Sequence, residues 1–342
     1  MNAVRLHQYG QHPVVEEMGE PRINGPHDVI VRIGGAGLCR TDLHIIEGQW
    51  KEKSGVTLPY TLGHENAGWV HEVGSAVENV APGDTVIVHP LITCGYCRAC
   101  RAGNDMHCVN SVFPGISIDG GFATFLKTGS RAVVKLDASL QPKDVAALAD
   151  AGLTAYHTVQ KAAALLYPGT KAVVIGAGGL GHIGIQCLKA LTPAEIIVVD
   201  RSEAALALAR SWGADHTVLV DGSQVSKVAE LTNGQGAEAV IDFVGEGGSL
   251  EHGVPMLRRA GSYFIIGYGG KLDVPTIDVI STEINFIGNL VGTYNDLAEL
   301  MTLAAQGKVT LHTMTYPLEA ANDAISDLDG GRLQGRGILI PA

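Results

Sequence analysis

The sequence predicts an α/β chain of two domains, a β-rich and partly barrel-like one and a doubly wound parallel sheet. Two changes of texture carry that reading. Residues 1 to about 150 are short segments such as DVIVRIGGAG, AGWVHEVGSAV and DTVIVHP with Gly and Pro between them, a pattern of short strands and turns. From about 171 the chain alternates apolar runs with helical stretches: KAVVIGAGGLGHIGIQCLKAL, EIIVVDRSEAALALARSWGA, HTVLV, AEAVIDFVG, SYFIIGY and NFIGNLVGT. Such alternation means βαβ units. The final segment, with the helical LAELMTLAAQG and RGILIPA, reads as a return to the first domain. The expected bounds are therefore 1–151, 152–290 and 291–342.

The length of 342 residues suits two domains with buried cores. A formal net charge of -11 argues against a polybasic nucleic-acid or anionic-membrane binder. The N-terminal MNAVRLHQYGQHPVVEE lacks the apolar centre of a signal peptide. No apolar run approaches the ~18 residues of a spanning helix. The sequence thus reads as cytoplasmic, a reducing setting where cysteines serve as ligands more than as bridges.

Cys94, Cys97, Cys100 and Cys108 stand as C-x2-C-x2-C-x7-C in CGYCRACRAGNDMHC. Four thiolates from one short segment close a tetrahedral shell with no open position, the arrangement of a structural zinc. A bacterial iron-sulfur run would place its fourth Cys after x3 and follow it with Pro, and Val109 follows here. Disulfides are the competing reading. The i, i+3, i+6 spacing, which turns three sulfurs inward together, argues against them, as does the absence of a secretory context.

Gly176, Gly178 and Gly181 form G-x-G-x-x-G between an apolar strand and a helix. The first glycine permits the tight turn, the second a close approach of backbone to a pyrophosphate, the third close packing of helix on strand. A second strand ends in Asp200, near the ~20-residue offset of a ribose-binding carboxylate. That favours NAD over NADP. Arg201 beside it is the residue type that receives a 2′-phosphate, and Asp200 could also be a plain strand-end or N-cap acid.

Cys39 in GLCRTDLH and His64 in TLGHENAG are ligand types suited to zinc, with Asp42 and Glu65 close by in sequence. Spacing alone does not join them into one site.

GLCRTDLH, TLGHENAG, CGYCRACRAGNDMHC, ADAGLTAYH, VIGAGGLGHIG and GRGILIP occur in the order found in zinc-containing alcohol dehydrogenases of the medium-chain dehydrogenase/reductase superfamily, and the chain resembles that family along essentially its whole length. The resemblance implies a GroES-like catalytic domain, a Rossmann coenzyme domain, an active site in the cleft between them, and NAD with two zinc ions per chain. It implies Cys39, His64 and Asp150 as ligands of a catalytic zinc. Asp150 stands where many relatives have Cys, which reduces the thiolates in the shell from two to one. Glu65 resembles an acid that either enters the shell transiently or acts from outside it, and Asp42 the partner of His64.

The same resemblance casts Thr41 as the acceptor of the alcohol proton and His44 as the group that relays it through ribose hydroxyls to solvent. Read without the resemblance, His44 would be an exposed helix or turn histidine. Arg40 and Arg336 correspond to pyrophosphate-binding arginines, each otherwise a surface charge. Thr154 corresponds to a residue packing on the nicotinamide. Gly179, Leu180 and Phe243 join the glycines, Asp200 and Arg201 as coenzyme contacts. Trp50 and Leu91 fall at apolar pocket positions, which suits a small or medium unbranched, cyclic or aryl alcohol and its carbonyl product. Oligomers, tetramers before dimers, are expected. Two alternatives stand beside this: a polyol or amino-alcohol dehydrogenase of the same superfamily, and a non-catalytic NAD-binding structural protein.

Overall fold

A computed structural model describes residues 1–342, and the chain divides into two compact units, Met1–Leu153 with Gly292–Ala342, and Thr154–Val291. The first unit opens with eight strands: β1 (Asn2–Leu6), β2 (Val14–Glu17), β3 (Asp28–Leu38), β4 (Tyr60–Thr61), β5 (Glu65–Val73), β6 (Thr85–Val88), β7 (Phe125–Gly129) and β8 (Val133–Lys135). The second contributes β9 (Lys171–Ile175), β10 (Glu195–Asp200), β11 (His216–Leu219), β12 (Ala237–Asp242), β13 (Leu257–Ile265) and β14 (Asn285–Gly288). The return segment adds β15 (Thr313–Pro317) and β16 (Arg336–Ile340), and the expected helical stretch forms the helix Tyr294–Ala305.

In the first unit, β2-β1-β4 make a small sheet, and a larger one runs β15-β16-β3-β5-β6-β8 with β7 also on β3. β3 is the spine. Its antiparallel register sets Gly37 opposite Glu65 of β5 and Ile338 of β16 opposite Gly37. The C-terminal end of β3 and the N-terminal ends of β5 and β16 therefore meet at one place, and β3 runs straight on into Cys39. The core beneath is aliphatic, with Val29, Val31, Leu62, Val86, Phe122 and Leu339 all fully buried. Burial of such side chains stabilises the unit by roughly 1.5–3 kcal/mol each before entropy is counted.

The second unit is an all-parallel six-stranded sheet in the order β11-β10-β9-β12-β13-β14. Strands buried on both faces read as continuous apolar runs, which is why KAVVI and EIIVVD show no alternation. Counted from β9 the order is 3-2-1-4-5-6, and it reverses between β9 and β12, beside the glycine turn after β9. No helix is long and apolar enough to cross a membrane.

Candidate metal and coenzyme sites

Cys39 caps the helix Arg40–Ile46, and its backbone N–H donates to Asp42 Oδ2 at 2.8 Å. That bond ties Asp42 to the start of the helix and leaves its other oxygen, Oδ1, 3.3 Å from His64 Nδ1. His64 Nε2 lies 3.5 Å from Asp150 Oδ2, and Asp150 stands between the turn Ala146–Ala149 and the helix Ala151–Ala163. Ligand atoms of Cys39, His64, Glu65 and Asp150 all fall within 4.8 Å of one another. The sequence placed these residues far apart. The fold brings them together.

The donor set fits zinc. Tetrahedral zinc with bonds of 2.0–2.3 Å separates its ligand atoms by about 3.3–3.8 Å, the spacing seen between His64 and Asp150. Both ring nitrogens of His64 and Asp150 Oδ1 are buried without a hydrogen bond, a state that buried polar atoms avoid unless something binds them. Burial would push the His64 pKa down, but the Asp42 and Asp150 carboxylates override it and hold it well above its usual value. A metal held here would need this ring neutral, with the nitrogen that faces it unprotonated.

Glu65 is occupied elsewhere. Its Oε1 accepts from the backbone N–H of Ala151 at 3.0 Å and its Oε2 from Arg336 Nη2. Burial pushes its carboxyl pKa up, and the Arg336 guanidinium works against that push. Arg336, read from the sequence as facing a phosphate, is thus buried beside Glu65 at 4% exposure. Gly37 makes the space, since a Cβ there would stand 2.1 Å from Glu65 Oε2. Gly37 was missed in the sequence, where a glycine inside a strand is the signal for close approach.

Thr41 and His44 are half-buried at i and i+3 on the helix Arg40–Ile46, hence on one side of it, and Arg40 is exposed. Leu91 is buried, and Trp50 is half-buried against the core with Lys53 Nζ 5.9 Å from its ring centre.

The four remaining ligand sulfurs cluster as the spacing predicts. Cys97 and Cys100 Sγ are 3.5 Å apart, Cys94 and Cys108 Sγ 3.6 Å, and none is in a disulfide. Desolvation pushes the Cys94 thiol up, but the backbone N–H groups of Tyr96 and Cys97 and the neighbouring thiols of Cys108 and Cys97 together pull it down to about 6, so it is a ready thiolate.

In the second unit each fingerprint glycine has its own reason. Gly176 has φ +89 and makes the turn, Gly178 has open space where a Cβ would be, and a Cβ on Gly181 would lie 1.9 Å from Gly176 O. Gly179 and Leu180 complete the loop into the helix Gly181–Leu191. Asp200 accepts from Ala177 N and Ser202 N, both at 2.7 Å, so it braces the glycine loop from the end of β10, and Arg201 is exposed. Phe243 packs its ring over Gly184 of that helix. The turn holding Phe243 is set by Asp242, a fully buried carboxylate accepting from Val244 N, Gly245 N, Ser249 Oγ and Tyr263 Oη. The sequence reading did not find Asp242, whose partners are two loop N–H groups and two hydroxyls, one of them 21 positions away. Thr154 is buried at 8% exposure in the helix Ala151–Ala163.

Family comparisons agree with this geometry. The alcohol dehydrogenase GroES-like domain profile matches residues 25–138 and the zinc-binding dehydrogenase profile residues 179–306. The chain belongs to the zinc-containing alcohol dehydrogenases of the medium-chain dehydrogenase/reductase superfamily, with a GroES-like fold in its first unit and a Rossmann fold in its second. It is an oxidoreductase of that family. An NAD-dependent alcohol dehydrogenase of Sulfurisphaera tokodaii is 37% identical, with all of both chains covered. A D-arabinose 1-dehydrogenase (NADP(+)) of Saccharolobus solfataricus is 36% identical over 99% of this chain and 97% of its own. The crystal structure of the alcohol dehydrogenase of Aeropyrum pernix superimposes with a TM-score of 0.97 at 49% identity, covering 100% of both chains.

Proposed function

We propose that this chain catalyses reversible, NAD-dependent oxidation of small or medium apolar alcohols to aldehydes or ketones, with one catalytic and one structural zinc. The observation that carries the reading is the convergence of Cys39, His64 and Asp150 on one buried point, three protein ligands that leave a fourth position open. Zinc bound there supplies a Lewis acid that lowers the alcohol pKa, and bound NAD accepts the hydride.

The chain's own residues do the rest. Asp42 orients the His64 ring so that Nε2 points at Asp150. Thr41 takes the alcohol proton and His44 passes it toward solvent. Arg336 and Ala151 N each hold one oxygen of Glu65, and ligation by Glu65 competes with these bonds. Asp200 selects NAD, accepting from ribose hydroxyls and repelling a 2′-phosphate; Arg201 stands ready beside it as a cation. Gly176, Gly178, Gly179, Leu180 and Gly181 cradle the pyrophosphate. Arg40 adds charge to it, as does Arg336 through the N–H groups that Glu65 leaves. Thr154 and Phe243 are packing contacts for the coenzyme. Trp50 and Leu91 give an apolar wall. Cys94, Cys97, Cys100 and Cys108 hold the structural zinc.

The chain works in the cytoplasm as a homo-oligomer, a tetramer before a dimer. The helix Thr276–Thr282 supports assembly: it has no buried residue and leaves Ile277 and Ile280 66% and 72% exposed, close in sequence to the open edge strand β14.

The D-arabinose relative favours a second reading, oxidation of a polyhydroxy substrate with NADP. Metal analysis after dialysis, with NADH and NADPH absorbance on a panel of alcohols, diols and aldoses, separates the two. Two zinc ions per chain and activity confined to apolar alcohols with NAD are expected. Activity only on aldoses, or a single zinc, would overturn the proposal.

A further inference from the structure

His89 takes no part in the metal sites, yet it is a histidine at 1% exposure that uses both ring nitrogens. Nδ1 faces Leu91, 3.2 Å from its backbone N–H and 3.3 Å from its carbonyl, whereas Nε2 faces only the carbonyl of Gly292, which can only accept; a neutral ring therefore accepts from Leu91 at Nδ1. Nε2 then carries the hydrogen and donates it to the carbonyl of Gly292 at 3.0 Å. Burial pushes the His89 pKa down, in keeping with a neutral ring. The residue's own backbone N–H donates to Ala132 O at 2.7 Å, which fixes where the ring starts.

The two ends of this ring matter for different reasons. Leu91 is buried and stands in the apolar wall assigned above. Gly292 begins the return segment, and the residue before it, Val291, is buried with φ +49. A β-branched side chain in the left-handed region is strained by about 1–3 kcal/mol and persists only where its surroundings hold it. The holding is visible on the far side. Thr293 and Asp296 exchange hydrogen bonds in a capping box at 2.8 and 3.0 Å, and Tyr294 N donates to the buried Asp105 at 3.4 Å. His89 supplies the bond at Gly292 itself.

We propose that His89 is a positioning residue of the alcohol site: one neutral imidazole sets the backbone of Leu91 through Nδ1 and, through Nε2, clamps Gly292 so that Val291 stays in its left-handed conformation. The Leu91 half rests on the proposed function; the Gly292 half does not.

The two nitrogens can be tested apart. Asparagine places an acceptor near the position of Nδ1 but does not reach Gly292, and glutamine places a donor near Nε2 but offers Leu91 no acceptor. His89→Gln should raise KM for an apolar alcohol about five-fold, the worth of one hydrogen bond, with kcat and KM for NAD unchanged. His89→Asn should leave the alcohol KM near that of the parent and speed amide exchange across Gly292–Asp296. Equal effects of the two variants on both readouts, as general loosening of the core would give, overturn the proposal. Ring nitrogen NMR of the unmodified protein needs no variant to fold: a neutral Nε2–H tautomer is expected, and an Nδ1–H tautomer or an imidazolium at neutral pH overturns it. A protein inactive on every alcohol with NAD would overturn the functional reading and the Leu91 half with it, while tautomer and exchange still decide the clamp.

Discussion

Asp42 Oδ1 lies 3.3 Å from His64 Nδ1, and neither residue is more than 1% exposed. A carboxylate facing Nδ1 requires the hydrogen on that nitrogen and so leaves Nε2 free to bind a metal. The other oxygen of Asp42 holds the N–H of Cys39. One side chain thereby sets two of the three proposed ligands.

Asp42→Asn should for that reason weaken zinc binding more than its small change of shape suggests. An amide that keeps its oxygen on Cys39 N turns its NH2 toward His64 Nδ1, which favours the tautomer with hydrogen on Nε2. The expectation is a loss of about 10–100-fold in affinity at the catalytic site, with the four-cysteine metal retained. Metal content measured along a chelator titration gives the answer, and parent-like retention would mean that Asp42 does not set the tautomer.

Cys100→Ser should act on stability. Cys100 is buried at 7% exposure and sits in the short helix Arg98–Arg101 between Cys97 and the Asp105–His107 turn. Metal that binds only the folded chain stabilises it by mass action, so loss of the site should lower Tm by roughly 5–10 °C. Thermal unfolding with metal analysis checks this. If the variant keeps its Tm, the cysteine loop does not contribute to stability through metal.

How much of this was legible in the sequence depended on distance along the chain. The four cysteines and the glycine turn were readable because all their parts lie within one short segment, and Gly181 could be given its packing role before its contact with Gly176 O was known. Cys39 and His64 were recognisable as ligand types, but Asp150 and the joining of the three into one site came only through the family resemblance, since tertiary structure and not local pattern unites them. Arg336 was read only as a phosphate ligand, because nothing local reveals that Glu65, 271 positions away, also takes one of its N–H groups. Gly37 and His89 escaped for the same reason: one leaves space for Glu65, the other bonds a carbonyl in the return segment.

Asp200 offers a test that separates ribose recognition from loop bracing. Its carboxylate already accepts two backbone N–H groups, so Asp200→Ala should harm binding of either coenzyme through the loop. Ribose recognition adds a further loss for NAD alone and removes a repulsion against NADP. The ratio of kcat/KM for NAD over NADP should then fall by at least about ten-fold, one lost charge-assisted contact. An equal loss with both coenzymes would reduce Asp200 to a brace.

His44 follows Thr41 by one helical turn and is half-buried. A base that relays the alcohol proton is most needed when solvent hydroxide is scarce, so its removal should be felt at low pH and less at high pH. His44→Gln should slow alcohol oxidation by about 10-fold or more near pH 6, within the range typical of a lost acid–base group, and by little near pH 9. Zinc content should be unchanged, because no proposed ligand is altered. The measurement is the pH profile of kcat for both proteins with metal analysis alongside. A uniform loss across pH, or none, would leave Thr41 exchanging its proton with water and His44 outside the relay.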